Sequence, residues 1–346
     1  MSKTTLLSAA LLLAVSGSLL ANEHMAEVGQ IGTENRAEQT QSGVMQSSFI
    51  LQNGTANDAI TDQSGTSREA GQASIEQVGT FNSAEVYQVN GNRPGMATAE
   101  IYQTGASNVV TLEQHEYRDE LSVTATIRQE GTGNRLDARQ TWVGNEINVV
   151  SIGQGNTVEV DQSGFSTAQV RQTGTTNLVR LEQISTGIGG GFAVVDQTGI
   201  ANQADIYQYS GRYPAGDVFL TQVGDANSAA IRSGSSYSTL EYKQQGIGNQ
   251  LDAGITGQNS SLTGYSQGNY NSVVTSQAGN NNSLDIAQVG SDNQIDAYQD
   301  LYAHQAAISQ IGNANQVLLR QSQSLEGNTA SIVQNGNGNV ASVFQN

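Results

Sequence analysis

From residue 26 onward the chain alternates apolar and polar positions in a unit that keeps returning. The unit reads Φ-x-Φ-x-Q-x-G-x-x-N-x-Φ-x-Φ-x-Q, where Φ is mostly Ala, Val, Ile or Leu. One copy is Leu284, Ile286, Gln288, Gly290, Asn293, Ile295, Ala297 and Gln299; another is Ala99, Ile101, Gln103, Gly105, Asn108, Val110, Leu112 and Gln114. Strict alternation is the period of a β-strand, in which residues two apart share a face. Asn293, Ile295, Ala297 and Gln299 therefore share one face, and Gln294, Asp296 and Tyr298 the other. Elsewhere the second face carries Arg36 and Glu38, Glu85 and Tyr87, Glu159 and Asp161. The pattern predicts Φ, Gln and Asn inside and the charged residues in water. The x-G-x-x stretch between the two strands predicts a tight turn, with its glycine at positive φ.

Aligning the chain on Q-x-G-x-x-N gives fourteen copies. The glycines are Gly32, Gly54, Gly79, Gly105, Gly131, Gly153, Gly174, Gly199, Gly224, Gly246, Gly268, Gly290, Gly312 and Gly336. Three residues after each stands an asparagine: Asn35, Asn57, Asn82, Asn108, Asn134, Asn156, Asn177, Asn202, Asn227, Asn249, Asn271, Asn293, Asn315 and Asn339. Two residues before twelve of them stands a glutamine: Gln30, Gln52, Gln77, Gln103, Gln129, Gln172, Gln197, Gln222, Gln244, Gln288, Gln310 and Gln334. Ser151 and Ser266 take that place in the other two copies. Successive glycines lie 21 to 26 residues apart, most often 22.

A lone unit cannot offset the entropy of ordering its backbone with four apolar side chains. Stacked units can, because neighbours then pair every backbone amide and cover every edge. The expected fold is therefore all-β: a β-solenoid with two strands per rung, parallel stacked sheets, and about fourteen repeats of about 22 residues. Stacking places Gln on Gln and Asn on Asn about 4.8 Å apart. Side-chain amides carry both donors and acceptors, so such ladders satisfy themselves in the interior. The connection from one unit's last Gln to the next unit's first Φ varies in length. It is longest after Gln63, Gln88, Gln114, Gln183 and Gln208, and holds Pro94, Pro214, Arg93, Arg118, Asp119, Glu120 and Gly189 to Gly191. The insertions thus fall along one edge. Ala26, Val28 and Gln30 enter the pattern at one end, and Ala341, Val343 and Gln345 close it at the other, with no segment resembling a polar cap. Two open strand edges of one geometry invite end-to-end addition.

Composition narrows the function. Lys3, the apolar run Leu6 to Leu13 extending to Leu20, and Ala21 read as a secretory signal peptide over 1–21, ahead of a single repeat domain over 22–346. The rival reading, a membrane anchor, meets Ser16, Gly17 and Ser18 inside a run short of about 20 apolar residues. With no cysteine, thiol catalysis, Fe–S clusters and Cys-ligated zinc drop out. The net charge of −17, with Lys only at Lys3 and Lys243, argues against a nucleic-acid partner.

The unit, with its Q-x-G-x-x-N-x-A core, resembles the repeat of the curlin family, the subunits of bacterial curli amyloid fibres. The resemblance covers essentially the whole chain after residue 21. It implies an extracellular functional amyloid of the biofilm matrix, exported unfolded and assembled at the cell surface. The partners it implies are further copies of the chain, a related nucleator subunit and outer-membrane export machinery.

Residues able to carry catalysis are scattered. His24, His115 and His304 belong to no ligand pattern and are expected at the surface. His115 and Glu116 with Asp119 and Glu120 form the one dense ionisable cluster, read as a solvated loop in preference to a weak metal site. Gly189 to Gly191 lack the context of a phosphate loop. Trp142 is expected half-exposed in a connection. Tyr87, Tyr102, Tyr207 and Tyr298 face outward, either as strand formers or as lateral contacts. No enzyme activity and no cofactor are expected. The leading expectation is a self-polymerising fibre subunit, whose like charges slow association until salt or mild acid weakens them. The competing expectations are a monomeric adhesin or ice-binding solenoid, a carbohydrate-active β-helix, and a fibre nucleator.

Overall fold

A computed structural model describes residues 23–65, 71–91, 96–116, 121–187, 189–211, 213–234, 236–322 and 327–345. The leader over 1–21, Arg93, Pro94, Arg118, Asp119 and Glu120 lie outside the described residues. Among those described, twenty-eight strands, β1 to β28 in chain order, run from β1 (Met25–Thr33) and β2 (Arg36–Gln41) to β27 (Thr329–Asn335) and β28 (Val340–Gln345). Odd strands form one 14-stranded sheet and even strands another, each pairing with the strand two places on. All pairings between strands are parallel. The chain is a β-solenoid of fourteen rungs, as the 22-residue rhythm requires.

Register follows the motif without slippage. Gln30 pairs with Gln52 and Gly32 with Gly54; Gln140 pairs with Gln162 and Leu136 with Val158. Slipping a strand by one residue would bring carboxylates such as Glu159 inside, which alternation with a buried face forbids. Val158 is fully buried and Glu159 faces outward. Ser48 Oγ lies 2.7 Å from Thr61 Oγ1 across the two sheets, so the first Φ column faces the fourth. Facing volumes compensate along the stack: Ala168 with Leu181 in one rung, Leu284 with Ala297 in another.

The x-G-x-x arc holds two left-handed residues, one more than the motif announces. Gly54 has φ 139° and Gly79 123°, and two residues beyond them Ala56 and Phe81 have φ 55° and 58°. A Cβ on Gly79 would lie 2.0 Å from the carbonyl oxygen of Gly105 in the next rung. The motif glycine is therefore obligatory twice over, for its φ and for the closeness of the neighbouring backbone.

Two expectations are corrected. His304 is not at the surface; it is fully buried. Its backbone N–H donates to Asn282 Oδ1 at 3.0 Å, and its Nδ1 accepts from the Asn328 N–H at 3.0 Å. Glu116 is not in a solvated loop; it is buried, and its Oε2 accepts from the Gly91 N–H at 2.8 Å. Both sit in the variable connection, bonded to the backbone of the neighbouring rung. His24 is exposed and His115 half-buried. Trp142 is 46% exposed, and Tyr87, Tyr102, Tyr207 and Tyr298 face outward.

Candidate functional site

The amide ladders are the chemically organised part of the molecule, and they are directional. In the first sheet Gln30 Nε2 donates to Gln52 Oε1 at 2.7 Å, Gln52 to Gln77 at 2.9 Å, Gln77 to Gln103 at 2.8 Å and Gln103 to Gln129 at 2.9 Å. The same bond joins Gln172, Gln197, Gln222 and Gln244 in turn, and then Gln288, Gln310 and Gln334. Every donor points toward the C-terminal end. The second NH of each amide goes to a backbone carbonyl, as from Gln77 to Asp58 O. The amides are thereby satisfied in an interior that would otherwise penalise them.

The asparagine ladder binds the arcs. Asn57 donates from its backbone N and from Nδ2 to Asn35 Oδ1, at 3.1 and 3.0 Å, and Nδ2 also reaches Gly79 O at 2.9 Å. The bonds from backbone N to Oδ1 and from Nδ2 to the glycine carbonyl recur to Asn315. Asn82, Asn108, Asn134, Asn156, Asn177, Asn202, Asn227, Asn249, Asn271 and Asn293 are all fully buried. The structure thus brings the predicted Gln, Gly and Asn positions into three continuous columns, with Ser151 and Ser266 as interruptions of the first.

A fourth column went unread in the sequence because its residue type varies. It lies two residues before the first Φ, where in six rungs a side chain accepts the backbone N–H of the rung above, while Gly71, Ala97, Val123, Gly191 and Gly216 hold the place in others. Ser260 N–H donates to Ser238 Oγ, Asn282 N–H to Ser260 Oγ, His304 N–H to Asn282 Oδ1, and Asn328 N–H to His304 Nδ1. His24 opens the same column, its Nδ1 accepting from the Gln46 N–H at 3.1 Å. The signal was acceptor chemistry at a fixed offset, with no common letter.

The end rungs leave this chemistry incomplete. Val28, Ala37, Ala341 and Val343 pack against the core but are only partly buried. At the C-terminal rung Gln334 Nε2 donates to Gln316 O and Gln345 Nε2 to Thr329 O, and neither has an amide oxygen above it among the described residues. At the N-terminal rung Gln30 and Gln41 donate to Gln52 and Gln63, and no donor reaches their own Oε1 among the described residues. In the glutamine columns one end offers donors, the other acceptors. The last rung's inner residues Ala330, Ile332, Ala341 and Val343 also repeat those of an interior rung, Ala73, Ile75, Ala84 and Val86.

The outer faces hold ion pairs. A groove of 530 Å³ on the second sheet is crossed by Arg180 and Glu159 at 2.9 Å, with Asp137, Asp205 and Tyr207 along its sides. Among the described residues no three His, Asp or Glu side chains cluster as metal ligands. No protein-family model matches the chain, and no curated protein matches it.

Proposed function

We propose that this protein is the structural subunit of a curli-like extracellular amyloid fibre, exported by way of its N-terminal leader and polymerising head to tail as a matrix scaffold. The observation that carries the reading is the polarity of the ladders. Stacking the first rung of one copy on the last rung of another would give Gln334 and Gln345 the acceptors Gln30 and Gln41. It would also give Asn339 Oδ1 the N–H groups of Asn35, and Asn328 Oδ1 the N–H of His24. Head-to-head contact would pair like with like. This is a heterologous, non-closing contact, and such contacts build filaments.

A second reading, a monomeric solenoid adhesin, draws on Gln39. That residue fills a Φ position of the first rung, and its Nε2 donates to Glu27 O and to Ser48 O and Oγ. A polar side chain across the end of the core makes exposure of that end cheaper.

Gly336 separates the two. A Cβ there meets only Asn339 Nδ2 at 3.4 Å within the chain, whereas a Cβ on any other motif glycine lies within 2.2 Å of the next rung's glycine oxygen. In a head-to-tail fibre Gly336→Ala would strike the Gly32 carbonyl of the next copy. Incubated wild-type protein should form thioflavin-binding fibres in negative stain, and Gly336→Ala, which strains only the last arc (φ 121°), should stay short or monomeric while keeping most of its strand content. Wild-type protein that remains monomeric for days at high concentration gives the adhesin reading the field.

A further inference from the structure

We propose that Tyr213 and Tyr237 form an oxidative cross-linking site that covalently joins two neighbouring rungs where the second-sheet glutamine ladder is interrupted. Tyr213 lies in the connection leading to the strand Asp217–Asp225, and Tyr237 in the connection leading to the strand Thr239–Ile247. Their ring centroids are 6.1 Å apart with planes inclined at 43°. The rings are 45% and 57% exposed, open to a diffusible oxidant. The connections that carry them are tied by the antiparallel bridge between Ala215 and Ser236 and by the Ala215 N–H donating to Gly190 O. The pair is held by backbone, and only small ring motions separate it from contact.

The position matters as much as the distance. In the second sheet the glutamine column runs to Gln208, then passes through Ser233 and Ile255 before resuming at Gln277. The first-sheet column is unbroken beside it, Gln197 donating to Gln222 and Gln222 to Gln244, and is next interrupted at Ser266, in the rung of Gln277. The second-sheet line of amide bonds is therefore lost over these rungs, and the tyrosine pair spans the connection beside Gln208 and Ser233. Phe192 and Phe219 also meet at 5.7 Å, but phenylalanine has no phenol to oxidise. Tyr213 with Tyr237 is the pair of tyrosine rings that lie side by side among the described residues.

The chemistry balances with one hydrogen peroxide, activated by a haem peroxidase. Each phenol gives up one electron and one proton to form a phenoxyl radical. The two radicals join through the ring carbons ortho to their oxygens, and the displaced ring hydrogens return to those oxygens, restoring both phenols. The two electrons and two protons released reduce the peroxide to two waters. A carbon–carbon bond forms, no backbone bond breaks, and the chain becomes lighter by two hydrogens.

The test treats the dilute full chain with a haem peroxidase and limiting peroxide, then reads dityrosine fluorescence from the monomer fraction and maps the link by mass spectrometry. The expected result is one intrachain link joining Tyr213 to Tyr237. Tyr213→Phe and Tyr237→Phe, which keep the ring and the fold, should each lose the monomer signal, and Tyr265→Phe should keep it. A link mapped to other tyrosines, an undiminished signal in Tyr213→Phe, or no intrachain link in a chain of native strand content would overturn the assignment. The outcome does not depend on whether the chain polymerises.

Discussion

The phenol of Tyr242 lies 2.7 Å from Ser266 Oγ, one rung above it. Ser266 spends its own proton on Gln288 Oε1 at 2.8 Å, so Tyr242 is the donor. Tyr242 occupies a Φ position and is fully buried, and burial pushes its phenol well above the usual tyrosine range while the Ser266 bond opposes the shift in part. Directly above stands Gly264, where a Cβ would come 3.0 Å from the Tyr242 ring and 2.6 Å from Ile286 O. A large residue, a missing side chain and a shortened ladder residue thus form one compensated set. Gly264→Ile alone overpacks it and should lower stability by about 1–3 kcal/mol. Combined with Tyr242→Leu and Ser266→Gln, which restore the common unit, most of that loss should be recovered. Urea denaturation of the single and triple variants measures the coupling.

The second left-handed residue of each arc gives a stabilising change. Gly133, Gly155, Gly248 and Gly338 fill it in four copies, but Thr176 holds it with φ 53°. A β-branched residue there is strained by about 1–3 kcal/mol. Thr176→Gly keeps the backbone bond to Gln154 O and should raise the urea midpoint. A lowered midpoint would mean that the threonine side chain contributes more than its backbone costs.

Gln277 and Gln299 look alike in sequence and differ in the stack. Gln277 Oε1 has no partner, because the residue beneath it is Ile255. Gln299 accepts from Gln277 and donates to Gln321. Gln299→Leu should therefore cost about 1 kcal/mol more than Gln277→Leu, the difference of one ladder bond. Equal losses would show that the ladder bonds carry no net stability.

Backbone donors of the last strand can be removed one side at a time. Gln316 N–H donates to Asn339 O and Ser322 N–H to Gln345 O, so outward residues of the second sheet donate to the rung above. By that alternation Ser342 directs its N–H to the open side and Val343 to the rung below. Ser342→Pro should leave the monomer folded and block elongation, since proline is tolerated on an edge strand. Val343→Pro should also melt the last rung. Unimpaired fibre growth by Ser342→Pro would rule out addition at this edge.

The net charge of −17 opposes association, yet residues 327–345 of the last rung carry no charged side chain. One side of the contact is therefore neutral, facing a first rung that carries Glu27, Glu34, Arg36 and Glu38, and the repulsion acts at long range between whole chains. Screening shortens from about 30 Å at 0.01 M salt to about 8 Å at 0.15 M. Fibre lag times followed by thioflavin fluorescence should fall several-fold over that range; lags insensitive to salt would remove charge as the brake.

The sequence by itself determined the rung, its parity and its register. Alternation sets which side chains point inward, and identical residues every 22 or so positions can stack only on themselves. Gln52 and Asn57 are placed inside, and Gly54 in the turn, by the sequence alone, because the motif repeats in one letter. What only the tertiary structure decided lies where the chemistry is shared between letters or between rungs. The column of Ser238, Ser260, Asn282 and His304 is held by acceptor geometry that no single residue type marks, so His304 read as a surface histidine. Glu116 is held by a backbone donor of the neighbouring connection, Gly91, which alternation along one strand does not reveal. Tyr242, Gly264 and Ser266 are 22 and 24 residues apart along the chain and make sense only when their rungs are stacked. Close packing couples volumes across rungs, and that coupling has no local signature in the chain.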